Sequence, residues 1–226
     1  MSPRALRGSR WDPAFWRPGR VDLAAACALP LAPLGTFIET LTYGPILPGQ
    51  RPQPAPHGVA IVGQKELLPT GVVLDQATRV AEGSPFDLPR CRLRPGDVLL
   101  ARSGAGTLAQ KRFTVFATHT KATVSCFVDI LRLKGISPYY VVTFLRCGLG
   151  WPQIERLLSG VGTPNLNFAQ IRSLRIPLLP TDEQEGIEAA WREVTRLHSQ
   201  RDYAAAEAEL DRLAEQLQSR LKDQPT

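Results

Sequence analysis

At 226 residues the chain can bury one sizeable core with an appendage, or two small ones. Its 43% hydrophobic residues and mean hydropathy of −0.12 exclude an intrinsically disordered segment and a fibrous rod. The net charge of +6 is unevenly placed: residues 1–180 carry 21 Lys/Arg against 10 Asp/Glu (+11), and residues 181–226 carry 6 against 11 (−5). A basic body with an acidic tail suggests a polyanionic partner for the body and a different partner for the tail.

The first segment, residues 1–33, is basic and carries Trp11, Phe15 and Trp16, a pattern that predicts an arm packed on the body. Arginines stand near the N-terminus without an apolar signal core, and the apolar stretch Leu23–Leu34 holds two prolines and is too short to span a bilayer. A cytoplasmic protein without a membrane partner is expected. Cys27, Cys91, Cys126 and Cys147 form no CxxC pair, so free thiols and no metal site are expected.

Residues 34–180 show short apolar runs separated by turn signals, with 20 prolines and 18 glycines in the whole chain. Strands are predicted at Gly58–Val62, Val72–Leu74, Asp97–Ala101, Phe113–Phe116 and Ala122–Leu133, and the Pro/Gly-rich 44–58 reads as a loop. Pro138–Leu149 predicts a helix with Pro in its first turn, Trp151–Ser159 a second, and GVGTPNLN a polar turn. The fold class is therefore α+β.

From Thr181 the pattern changes. Apolar residues recur at three/four spacing: Ile187, Trp191, Val194 and Leu197, then Leu210, Leu213 and Leu217, with a phase slip near Arg201. Thr181 and Gln184 suggest a capping box. Residues 181–222 thus predict a long coiled-coil-type helix, about 60 Å at 1.5 Å per residue, whose stripe needs a partner helix. Folding back on its own body as a hairpin is the other possibility.

The stretch LRPGDVLLARSGAGTLAQKR (Leu93–Arg112) invites comparison with a phosphate loop. GxxxxGK[ST] requires Lys directly after the last glycine, but Gly106 is followed by Thr107. GxGxxG lacks its third glycine, and no suitable acidic residue follows to read a ribose. GxSxG and HExxH motifs are absent, and Ser103, His119 and Asp129 match no triad order. A non-catalytic chain is expected.

What remains is a set of polar loop residues on a basic body. Arg102, Ser103, Lys111, Arg112 and Lys121 surround the glycine stretch. Gln64 and Lys65 follow VAIVG, Thr163, Asn165 and Asn167 occupy GTPNLN, and Tyr43 ends an early apolar run. Arg and Lys pair with guanine edges or phosphates, and Asn and Gln bond adenine bidentately. Asn and Thr in turns also satisfy backbone groups.

Several blocks in order resemble the specificity subunits of type I restriction–modification systems. They are LGTFIETLTYGPI, GVAIVGQKEL, LRPGDVLLARSGAGTL, ISPYYVVTFLRCGLGWPQIERLLSGVG and LNFAQIRSLRIPLLPTDEQ, spread over residues 34–200. Thr181 and Asp182 depart from the family, which tends to be apolar there. The resemblance implies that 34–180 is a target-recognition domain for half of a split, bipartite double-stranded DNA target. It implies that 181–222 sets the distance to the other half and docks methyltransferase subunits, with a restriction subunit as a further partner. S-adenosylmethionine is then expected on the partner methyltransferase, and no cofactor on this chain. One copy of each unit is recognisable here against the family's usual two, which implies a half-length subunit pairing with itself through its helix, or one serving a related methyltransferase. The competing reading is a stand-alone dimeric nucleic-acid-binding regulator.

Overall fold

The computed structural model describes residues 22–102, 110–158 and 165–223. Eleven short strands and six α-helices are found among them, in the α+β arrangement expected. The central element is a four-stranded antiparallel sheet in the order β2–β10–β7–β8, formed by Ile38–Tyr43, Val128–Leu133, Val98–Ala101 and Phe113–Val115. A three-stranded sheet packs beside it in the order β6–β3–β9: Arg79–Val80, Val59–Val62 and Ala122–Val124, with β3 and β9 parallel. Two two-stranded ribbons complete the set: β1 (Leu31–Pro33) with β11 (Arg175–Pro177), and β4 (Leu67–Leu68) with β5 (Gly71–Val72).

Strand β7, Val-Leu-Leu-Ala, is buried on both faces, which is why its sequence is a continuous apolar run rather than an alternation. Val98 and Leu100 face a large core shared with the helices, whereas Leu99 and Ala101 face a smaller core between the two sheets. The lead-in RPGD is a tight turn: Asp97 N–H donates to the Arg94 carbonyl, and Gly96 has φ 92°, a conformation glycine adopts at no steric cost. Asp97 is buried there and accepts two hydrogen bonds from Arg132 of β10, at 2.8 and 2.7 Å. The Gly-Asp pair therefore staples neighbouring strands.

The predicted strand Ala122–Leu133 is two strands in different sheets, β9 and β10, separated at 125–127 where the chain crosses between them. Helix α2 (Pro138–Arg146) starts at Ser137, whose hydroxyl accepts from Tyr140 N–H, with Pro138 in the first turn as read. Helix α3 spans Trp151–Leu158. A short helix α4, Phe168–Ser173, follows the polar turn and was not predicted. Helix α1 is a single turn, Leu23–Ala26, which buries Leu23.

The C-terminal segment is helical over nearly the predicted range, but as two helices: α5 (Thr181–Ser199) and α6 (Tyr203–Lys222). The break coincides with the phase slip. Arg201 adopts φ 64°, its N–H donates to the His198 carbonyl, and Asp202 N–H donates to the Leu197 carbonyl, a helix-terminating pair of bonds. Asp202 then caps α6 by accepting from Ala205 N–H at 3.1 Å. The two helices are antiparallel, as the bidentate Glu183–Arg220 pair between their far ends requires.

This hairpin changes the meaning of the apolar stripe. Trp191, Val194, Leu210, Leu213 and Leu217 are buried in the same core as Tyr140 and Phe144, with Ile187 and Leu197 packed against it. The expectation that these residues need a helix from another chain is corrected: doubling back lets one chain cover them. The expected capping box is also absent. Pro180 holds the N-cap position, and Gln184 instead accepts from Ser137 N–H and donates to the Leu179 carbonyl. No helix among the described residues is long and apolar enough to cross a membrane.

Candidate nucleic-acid interface

At one end of the four-stranded sheet, strand register brings three unlike side chains together. Asp129 of β10 lies directly opposite Tyr43 of β2 on one side and Leu100 of β7 on the other. Residues opposite one another share a face, and Arg102, two beyond Leu100, returns to that face. The Arg102 guanidinium consequently lies over the Tyr43 ring, 3.9 Å from its centroid, with a nitrogen 4.0 Å from an Asp129 oxygen.

Helix α4 supplies the fourth member. Asn167 and Gln170 form a reciprocal capping box, each side chain accepting a backbone N–H at 2.9 Å. That cap fixes Phe168 at the first helical position, where its ring is 5.7 Å from Tyr43 and 5.8 Å from the Arg102 guanidinium. The main chain ties the group together: Arg102 N–H donates to the Phe127 carbonyl, and Leu166 N–H donates to the Arg102 carbonyl. Tyr43's own carbonyl accepts from Arg90 and from the Cys91 thiol, which anchors the end of β2. The residue that follows, Gly44, is required by packing, since a Cβ there would sit 2.0 Å from the Val124 carbonyl oxygen.

Asp129 is fully buried, and neither carboxylate oxygen has a hydrogen-bond partner. Burial raises its pKa to about 7, against a smaller lowering by Arg102. Beside this cluster the surface carries Phe127, 55% exposed, and the exposed Asn165.

The other sequence candidates occupy different surroundings. Arg112 donates to the Gln64 carbonyl and to the Gln110 side chain, both at 2.8 Å, so Gln64 and Arg112 are neighbours, with Lys65 exposed alongside. Lys111 is drawn inward: its ammonium donates to the Arg146 carbonyl at 3.0 Å and lies 5.3 Å from the Trp151 ring centre. Burial, and secondarily the Arg146 charge, lowers its pKa. Lys121 pairs with Glu82 at 3.0 Å beside the smaller sheet. The Asn167 oxygen is spent on its helix cap. Ser103 and Thr163 lie outside the described residues. The four basic residues expected to surround the glycine stretch are thus dispersed, and Arg102 is the one met by aromatic rings and a buried carboxylate. His119 lines a separate groove with Glu82, Arg92 and Lys121, away from the Asp129 cluster.

Sequence reasoning passed over three members of this surface. Asp129 signalled itself as an acid inside the apolar run FVDIL, but only strand pairing shows what it faces. Phe127 and Phe168 gave no local signal, because a crossover between sheets and an unpredicted helix place them. Among the described residues, no cluster of His, Cys, Asp and Glu could hold a metal ion.

No protein-family model matches the sequence, and no curated protein does. Solved structures do match. A chain of a type I R-M system, whose study concerns complex assembly and conformational transition, is 19% identical and aligns with a TM-score of 0.52 over 91% of this chain and 48% of its own length. The HsdS subunit from Thermoanaerobacter tengcongensis is 18% identical (TM-score 0.48, 93% of this chain, 49% of that one). The type I restriction–modification S subunit from M. genitalium is 14% identical (TM-score 0.48, 85% and 45%). The α+β fold with its C-terminal helices is therefore similar to that of a chain of a type I R-M system. The chain spans about half the length of the structures it matches.

Proposed function

We propose that this chain is a non-catalytic DNA-recognition subunit that directs a partner methyltransferase, and any nuclease in the same complex, to one half of a bipartite double-stranded target. The observation that carries the proposal is the fold shared with a type I R-M chain over 91% of this sequence. The charge distribution supports it, since a body with a net +11 suits a phosphate backbone. S-adenosylmethionine and the methyl-transfer chemistry belong to the partner, which would flip the target base out of the duplex. The helical hairpin, with a net −5 over residues 181–226, is the surface assigned to protein partners. Self-association through the Leu210–Leu213–Leu217 stripe is not part of the proposal, because that stripe is buried within the chain.

The test is methylation-sensitive sequencing of host DNA with and without this chain, in cells that also express a type I methyltransferase subunit. A methylated sequence motif that appears only when both are present supports the proposal. Motif methylation that persists without this chain, or turnover by the purified chain alone, refutes it.

A further inference from the structure

We infer that Arg102, braced by Tyr43 and Phe168 and held by the buried Asp129 carboxylate, is the side chain with which this domain reads a guanine edge, and that Asp129 is its positioning residue. This rests on the DNA-recognition reading above and adds which residue specifies a base.

Donor use separates Arg102 from its neighbours. Arg90, Arg92, Arg112, Arg132 and Arg146 all donate side-chain hydrogen bonds within the chain. Among the described residues the Arg102 guanidinium donates none, and its nearest carboxylate oxygen is 4.0 Å away. A guanidinium carries five N–H donors in a fixed planar fork, and that fork matches the paired O6 and N7 acceptors of guanine in the major groove. Its side chain is only 23% exposed, so it is not freely hydrated either. The Tyr43 ring holds the plane of the fork without using any N–H, which keeps the donors available while limiting the rotamers lost on binding.

Asp129 makes the same point from the acidic side. A buried carboxylate with both oxygens unpartnered is costly, and native structures retain such groups where they serve a purpose. At 4.0 Å it attracts the guanidinium from behind without satisfying its donors. Phe127, whose carbonyl accepts from Arg102 N–H, and Asn165, next to Leu166, which donates to the Arg102 carbonyl, are both exposed and offer an apolar face and an amide, the group types that contact a thymine methyl and adenine. Phosphate oxygens would also fit the fork, so the experiment separates the two.

The full-length chain and three variants, Arg102→Ala, Arg102→Lys and Asp129→Asn, are each used to select from a random-sequence duplex DNA library, with retained duplexes sequenced and circular dichroism confirming folding. The wild type is expected to enrich a motif containing a guanine. Arg102→Ala should relax that one position by about 5- to 150-fold, with the other positions unchanged. Arg102→Lys, which keeps the charge and loses the fork, should not restore it. Asp129→Asn, which keeps the shape, should relax the same position. Uniform weakening of all sequences by Arg102→Ala, with a shallower salt dependence, would identify a phosphate contact and overturn the inference. Relaxation by Arg102→Ala but not by Asp129→Asn would overturn the role of Asp129 alone. A wild type that enriches no motif would sink the recognition reading itself.

Discussion

His198, in the last turn of α5, accepts the Thr70 hydroxyl proton at Nδ1, 2.8 Å away, and donates from Nε2 to the Val72 carbonyl at 3.1 Å. A carbonyl can only accept, so Nε2 carries a proton, and burial favours the neutral ring, in which Nδ1 is the acceptor for the Thr70 hydroxyl. The contact joins residues 128 positions apart and pins the turn between the C-terminal helices to the β4–β5 ribbon. Gly71 lies between the two anchor points, and a Cβ there would stand 2.9 Å from Nε2.

That geometry sets a pH dependence. Burial, the larger influence, lowers the His198 pKa, and the Val72 hydrogen bond partly offsets it. The folded state therefore binds its proton less readily than the unfolded one, whose imidazole titrates near about 6.5. The contribution is complete above that pH and is lost as pH falls through the folded pKa. His198→Gln should cost about 1–3 kcal/mol at pH 7.5, as expected for two partly buried hydrogen bonds. It should also flatten the loss of stability as the pH falls below about 6.5. Urea denaturation across that range checks both, and Gly71→Ala should mimic the first effect.

Asp129 acts in the opposite direction. Its folded pKa of about 7 lies above the ordinary 3.8, so folding favours the protonated form. Its contribution is most favourable below the unfolded pKa and is lost as pH rises through 7. Asp129→Asn should therefore stabilise the chain at pH 8 by an amount on the order of 1–3 kcal/mol, and by much less at pH 5. Thermal melts at the two pH values compare the variant with wild type. An Asn that destabilises at both would mean the carboxylate has a partner in solution.

The apolar stripe of the last helix should behave as core. Leu210 is fully buried in the cluster that includes Tyr140 and Phe144. Leu210→Ala should cost about 2–5 kcal/mol in chemical denaturation. Replacing Leu210, Leu213 and Leu217 together with Asp should unfold the whole domain, seen as loss of near-ultraviolet dichroism. A folded body with altered assembly would show that the stripe is an interface.

Arg146 is a buried cation, answered from α6 by Glu207 at 2.7 Å and Asp211 at 2.8 Å. Its Nη1 has no partner. The acids are half exposed, so solvent screens them, yet removing both leaves the guanidinium buried without its counterions. Glu207→Gln with Asp211→Asn should cost about 1–3 kcal/mol, and Arg146→Met in that background should recover part of it. A double-mutant cycle by urea denaturation measures the coupling.

Much of the fold can be read locally. Periodicity marks the C-terminal helices, Pro138 marks the start of α2, and the glycine and aspartate of RPGD mark a turn before a strand. The misreadings share one cause. Ala122–Leu133 reads as one strand because both of its halves are β-branched and apolar, and their division between two sheets is a matter of hydrogen-bond partners. Of the candidate contacts, Arg102, Tyr43 and Asn165 are brought to one end of the main sheet, whereas Lys111 and Lys121 make contacts elsewhere that no spacing rule anticipates.

By itself the sequence determined the α+β class, the basic body with its acidic tail, the helical character of 181–222 and the absence of a phosphate loop at LRPGDVLLARSGAGTLAQKR. These follow from composition and from contacts within a few residues. The tertiary structure alone decided that the long apolar stripe folds back onto α2, that Asp97 staples two strands, and that Asp129 stands behind Arg102. Those outcomes depend on pairings between segments tens of residues apart, where register selects the neighbour and burial sets its charge. The stretch first suggestive of a nucleotide loop thus becomes a strand that delivers one arginine to an aromatic bracket at the sheet's edge.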